Sequence, residues 1–220
     1  MTVILVLCTF LVFIGIDLWL NRKKAITVAA EPAAAKSPAG ENYIEGFLVP
    51  STVRYHAGHS WLHRERKNVI RVGMDEFAAA LAGRVEKFEL PKPGHWVRQG
   101  QKAWSFLRAG EKGEMVSPIE GEIVEINQEV MENPSLVRQD PYGKGWLFTV
   151  FAPDEESTLR NVLPQNLVSE WMRSSVEKLY GLQPELAGVV AADGGRPAED
   201  LCAALPNVNW KEVTRKFFLT

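Results

Sequence analysis

The chain has 220 residues, 46% of them hydrophobic and 24% charged, with a formal net charge of −2. That composition is globular and excludes a disordered or collagen-like chain. Lys and Arg number 25 against 27 Asp and Glu, which leaves no electrostatic footprint for nucleic acid, and two cysteines, Cys8 and Cys202, exclude a disulfide scaffold or an all-cysteine zinc site.

Residues 3–20 form a run of 18 residues whose single charge is Asp17. As a helix this run covers roughly 27 Å, close to the ~30 Å of a bilayer core. Asp17 stands near the end beside Trp19, where a carboxylate and an indole reach the headgroups. A secretory signal would need a positive region before the run, and a buried core helix would need a polar stripe. Neither is present, so the segment reads as a single-span membrane anchor. The Ala-rich stretch behind it leaves open a cleaved signal and a periplasmic module. Arg22, Lys23 and Lys24 lie on the C-terminal side and place the remaining chain in the cytoplasm by the positive-inside rule. Unpaired cysteines agree with that compartment. Residues 1–24 are therefore expected to be the anchor with its basic stop. Residues 25–46, rich in Ala and Pro with no sustained period, read as a tether.

From residue 47 to 153 short apolar runs alternate with turn residues. Strands are predicted at 60–63, 69–72, 85–90, 103–107, 113–116, 121–126 and 146–151. Pro91-Lys92-Pro93-Gly94, Gly100, Gly110, Ser117-Pro118, Asn133-Pro134 and Asp140-Pro141-Tyr142-Gly143 divide them. Many short, closely spaced strands predict a mainly β barrel or sandwich. Asp75 is placed to cap a helix over 76–81 that ends at Gly83, and a second short helix is predicted over 134–138. Strand 121–126 is expected to set Ile and Val on one face and Glu on the other. Trp61 and Trp146 are expected in the core.

The motifs Tyr55-x-x-x-His59-x-Trp61, Val72-Gly73, Asp75, Phe77-Ala78, Gly83 and Glu89-Leu90-Pro91-x-x-Gly94 resemble the H protein of the glycine cleavage system. The resemblance continues in order through Gly100, Ser117-Pro118-x-x-Gly121-Glu122, Val124, Asn127, Asn133-Pro134, Leu136-Val137 and Asp140-Pro141-Tyr142-Gly143-x-Gly145-Trp146-Leu147. It covers residues 55–150. It implies a lipoyl-domain-like flattened β-barrel, or barrel-sandwich hybrid, of two small antiparallel sheets. In that family a lysine at a β-hairpin tip carries lipoamide through an amide bond. The arm takes an aminomethyl group from a pyridoxal-phosphate decarboxylase, hands it to a folate-dependent transferase and is reoxidised by a flavoprotein. Such a domain is a carrier, not a catalyst.

The family's lysine precedes the Ser of the Ser-Pro pair by seven residues, and counting back from Ser117 reaches Gly110. Counting forward from Glu89-Leu90-Pro91 without gaps reaches the same position. Gly110 has no side chain to acylate. The nearest lysine is Lys112, about 7 Å further along if extended. Glu111 and Lys112 between Gly110 and Gly113 read as a solvated turn. The cofactor position is therefore expected to be lost, with lipoate bound only if Lys112 is modified.

His56-x-x-His59-x-x-x-His63 invites a metal reading, with His59 and His63 on one side of a strand. No Asp or Cys stands beside them in sequence, so no metal is expected. His95 reads as solvated. No nucleophile elbow, Walker loop or zinc-protease motif occurs, and no enzymatic activity is expected. Residues 154–220 are expected to be a helical extension outside the resemblance. Leu167, Val168, Trp171, Met172, Val176 and Leu179 follow a helical period up to Gly181. Further short helices are predicted over 197–205 and from Asn209 through Phe217. This tail either packs on the barrel or offers Trp210, Phe217, Phe218 and Leu219 to a partner.

The functional expectation is a membrane-anchored, unlipoylated H-protein-like module serving as an interaction or assembly subunit. Its partners would be glycine-cleavage-type or membrane-complex subunits. The alternative is a lipoyl carrier modified at Lys112, passing aminomethyl or sulfur groups.

Overall fold

The computed structural model describes residues 42–182, 201 and 209–220. These belong to one unit, Gly40–Thr220. The anchor at 3–20, the tether up to residue 41, Cys8, Cys202 and the helix expected over 197–205 lie outside the described residues. Among the described residues no helix is long and apolar enough to cross a membrane.

The mainly β expectation holds, with all strand pairs antiparallel. β1 (Tyr43–Ile44) and β2 (Phe47–Leu48) form a small hairpin. β1 falls within the stretch read as a tether, and it folds because Ile44 finds a buried site on the core. A six-stranded sheet has the order β3 (Arg54–His56), β4 (Ser60–Arg66), β5 (Val69–Met74), β11 (Trp146–Phe151), β10 (Gly121–Ile126), β7 (Trp96–Val97). A three-stranded sheet has the order β6 (Lys87–Glu89), β8 (Lys102–Arg108), β9 (Glu111–Val116). Leu62, Ile70, Val72, Phe88, Trp104, Phe106, Met115, Ile123, Phe148 and Val150 are buried in one core cluster.

Sequence and structure agree on β10 and β11 to the residue, and the other predicted strands shift by a few positions. The strands β3 and β7 were not legible, because segments of two or three residues carry too little alternation. Helix α1 (Glu76–Ala82) starts at Asp75, whose carboxylate accepts from Ala78 N, and ends at Gly83. Helix α2 (Gln128–Glu132) was not predicted, although Asn127 caps it by accepting from Glu129 N and Val130 N. The predicted helix at 134–138 is α3 (Leu136–Gln139).

Two packing expectations need correction. β10 pairs with β11 through a bulge between Ile123 and Glu125, so Val124 is the extra residue and stands 45% exposed. Ile123 and Val124 are consecutive, so the pleat already sends them to opposite faces, and the bulge then leaves Glu125 exposed as well. Trp61 is fully buried, donating from Nε1 to Pro141 O at 3.0 Å beneath the 140–145 loop. Trp146 is only half-buried. It shares Gly73 as strand partner with Trp61, and the Arg71 guanidinium lies 4.9 Å from its ring centroid.

The described parts of the tail pack on the barrel. Helix α4 (Glu155–Leu159) leads through a 3-10 turn (Gln165–Leu167) into α5 (Val168–Tyr180), which buries Val168, Met172, Val176 and Leu179. Helix α6 (Trp210–Val213) continues as a π-helical turn, Thr214–Phe218. Trp210, Phe217 and Phe218 are buried and unavailable to a partner, while Leu219 is exposed.

Candidate functional site

The β8–β9 hairpin carries the position that the resemblance assigns to the lipoyl lysine. Arg108 pairs with Glu111, so the loop is the two residues Ala109 and Gly110. Their φ angles are +45° and +77°. Positive φ at both positions defines a type I′ turn, whose twist matches the flanking strands. The turn is therefore at Ala109-Gly110, not at Glu111-Lys112 as the glycine spacing suggested. Gly110 is at the tip, and a Cβ built there would meet nothing within 4 Å. The tip thus presents no amine, thiol or hydroxyl.

Lys112 belongs to β9 and pairs with Leu107. Its ammonium reaches Glu89 Oε2 at 2.9 Å, and the same carboxylate accepts from Ser105 Oγ at 2.9 Å. This diagonal contact across β6, β8 and β9 was missed because it needs the strand register. Glu89 pairs with Ser105, and Leu107 with Lys112, so the two charged residues sit one row apart. The hydrogen bond and charge of Lys112 hold the Glu89 carboxyl below the ordinary carboxylate range, and Glu89 raises Lys112 above the ordinary amine value. Both groups are solvent-exposed. The pair is therefore screened by water and holds the side chain only weakly.

The far edge of β9 is covered by the C-terminal turn. Trp210 Nε1 donates to Lys112 O at 2.9 Å, and Thr220 Oγ1 donates to Glu114 O at 3.2 Å. Arg108 lies 4.9 Å over the Trp210 ring. Gly113 permits the fit beneath, since a Cβ there would overlap the Phe106 ring. Lys112 is thereby fixed through its backbone. Beside the hairpin runs a groove of about 450 Å³ lined by Glu89, His95, Lys102, Trp104 and Glu114, with His95 exposed as expected.

The three histidines do not converge. His59 precedes β4, in a turn with φ +59°, so it is not on a strand face with His63. Its Nδ1 meets Asp75 Oδ2 at 2.8 Å, its Nε2 meets Ser175 Oγ at 3.2 Å, and its ring stacks between Phe77 and Trp171. An acid partner is thus present, brought from the cap of α1. This buried clasp ties α5 to the barrel. His56 Nδ1 accepts from Gly58 N at 3.1 Å, and burial together with His59 lowers its pKa. Among the described residues no group of three or more His, Cys, Asp or Glu side chains could hold a metal ion.

The other motif residues build the frame around these features. Asn127 Nδ2 donates to Lys144 O and Trp146 O, joining α2 to the 140–145 loop. In that loop Asp140 accepts from Gly143 N and Lys144 N, and Tyr142 OH donates to Leu48 O.

Comparison with known proteins agrees with this frame. The Glycine cleavage H-protein family matches residues 53–174, extending past the resemblance read from the sequence into α5. The glycine cleavage system H protein of Alteromonas mediterranea is 38% identical over 106 residues, covering 48% of this chain and 82% of that protein. That of Aeromonas salmonicida is 36% identical over 126 residues, covering 56% and 97%. That of Mycobacterium leprae is 30% identical over 130 residues, covering 59% and 98%. The crystal structure of a glycine cleavage system H protein from Mycobacterium marinum aligns with a TM-score of 0.49 at 25% identity, covering 58% of this chain and 98% of that one. With the family match spanning both sheets and the hairpin between them, the chain belongs to the glycine cleavage H-protein family.

Proposed function

We propose that this chain is an H-protein-like module that is not lipoylated and acts as an interaction or assembly subunit held at a membrane. The observation that carries the reading is the hairpin tip, where Ala109-Gly110 stands in place of an acylatable lysine. The neighbouring Lys112 sits on the sheet, ion-paired with Glu89 and tied at its carbonyl by Trp210. A lipoyl ligase that recognises an amine at the apex of a hairpin has none to acylate here. The module is a carrier-type or adaptor domain rather than an enzyme, it needs no cofactor, and its partners are other protein subunits.

Membrane attachment rests on the apolar run at 3–20 and the following Arg22, Lys23 and Lys24, which favour a cytoplasmic barrel. A reporter active only outside the cytoplasm, fused after Thr220, is expected to be silent, and its activity would overturn this topology. For the cofactor, intact-mass measurement of the chain from a lipoylating host is expected to show the unmodified mass. A gain of one lipoyl group mapped to Lys112 would overturn the reading and identify a working carrier.

A further inference from the structure

The outer face of the six-stranded sheet carries a row that the fold itself does not use. Trp96 on β7 pairs with Glu122 on β10, and Glu122 pairs with Phe151 on β11. Directly opposed residues in adjacent strands point to the same face. Trp96 is 47% and Phe151 41% exposed, and Val124 emerges beside them at the bulge. Trp61, Trp104 and Trp210 are buried. Trp96 by contrast has no hydrogen-bond or ring partner among the described residues. Trp96 and Phe151 flank Glu122 in this row, and large apolar side chains left exposed beside acidic ones are a mark of interaction surfaces.

The surroundings restrict what binds. A crevice of about 210 Å³ opens beside Trp96, lined by Glu120, Pro153, Asp154, Ser157 and Thr158. Glu120, Glu122 and Glu156 are exposed and have no ion pair among the described residues, while Asp154 is occupied in capping α4. The bases of these segments are Arg98 after β7, Arg160 just past Thr158, and Arg66, which pairs with Val69 at the far end of the row, against the acidic Glu120, Glu122, Asp154 and Glu156. Acidic charge therefore prevails around the indole, which repels nucleic acid and anionic lipid. β7 is also the terminal strand of its sheet, so its far edge has no neighbouring strand among the described residues.

We propose that this face docks an extended, basic segment of a partner protein, with Lys or Arg alternating with apolar residues. The segment would add to the free edge of β7 by main-chain hydrogen bonds. Its cation would lie over the Trp96 ring within reach of Glu120 and Glu122, and its apolar side chains would cover Phe151 and Val124. The inference deepens the reading of the chain as an interaction module and names the chemistry of its partner. It uses a face separate from the hairpin.

The test is a fluorescence-anisotropy titration of the full chain, held in neutral detergent, with two labelled hexapeptides, one alternating Lys and Val and the other alternating Glu and Val. The Lys peptide is expected to bind and the Glu peptide not, with binding weakening as salt rises. Trp96→Ala and the double variant Glu120→Lys, Glu122→Lys should each weaken binding by about tenfold or more, and Trp96→Phe by less. Because all three side chains are largely exposed, every variant should stay folded, with Trp96→Ala melting at most a few degrees lower, so a lost interaction is not mistaken for lost folding. The proposal is overturned if the Lys peptide does not bind, if the Glu peptide binds equally, or if Trp96→Ala binds as the natural chain does. It is also overturned if sedimentation shows that Trp96 mediates self-association, which would make a second copy the occupant. Failure here leaves the lipoylation reading separately decided by intact mass.

Discussion

Changing Gly110 to Lys returns an amine to the apex of the β8–β9 hairpin. The substituted side chain has open space, since nothing lies within 4 Å of a Cβ at this position. The cost is conformational. Gly110 sits at φ +77°, and an L-residue in the left-handed region is less stable by about 1–2 kcal/mol. For a chain of this length that corresponds to a melting temperature lower by roughly 2–8 °C, taking about 2–4 °C per kcal/mol. The variant should therefore remain folded. Intact-mass spectrometry after expression in a lipoylating host is then the assay. The natural chain is expected to be unmodified, and Gly110→Lys at least partly lipoylated. Full modification is not expected, because the upstream position that is acidic in the family is Leu107 here. A natural chain carrying lipoate at Lys112 would refute the reasoning outright. A folded Gly110→Lys protein with no modification would show that the hairpin has diverged by more than one residue.

Two further outcomes concern the frame. Trp61→Ala, which empties a fully buried site and removes the cover of Pro141, should destabilise the fold by about 3–5 kcal/mol in denaturant melts. Trp146→Ala should cost only about 1–2 kcal/mol, because its ring is already half in solvent under Arg71. Equal losses would show that the 140–145 loop does not distinguish the two. The pH dependence follows from His56, whose folded pKa lies below its ordinary 6.5 because of burial and the neighbouring His59. As pH falls the unfolded chain takes up the proton first. This contribution is thus complete above about pH 6.5 and is lost as pH falls through the folded value. Protonation also removes the acceptor that His56 Nδ1 offers to Gly58 N. His56→Gln should lose less melting temperature than the natural chain between about pH 7.5 and 5, and parallel curves would exclude this role.

The motifs were sufficient to identify the family frame, and the strongest local signals carried over with little change. β10, β11 and α1 with its Asp75 cap appear where alternation and cap chemistry place them. These features depend on neighbours in the chain, which is why a linear sequence displays them. The glycine at the hairpin apex was also legible, because two flanking motifs count to the same position, Gly110.

What depended on distant parts of the chain was not legible. The turn moved to Ala109-Gly110 because pairing of Arg108 with Glu111 selects it over the glycine-flanked alternative. The bulge at Val124 is set by its partner strand, and it leaves two successive residues, Val124 and Glu125, exposed. His59 found Asp75 from another element and Ser175 from the tail. Trp210 closed on the carbonyl of Lys112 from nearly a hundred residues away. Residue identity and short-range spacing thus determined the elements and the placing of Gly110 in the β8–β9 hairpin. Register, burial and the tail's docking decided where each charge points, because those depend on which surfaces meet once the two sheets close.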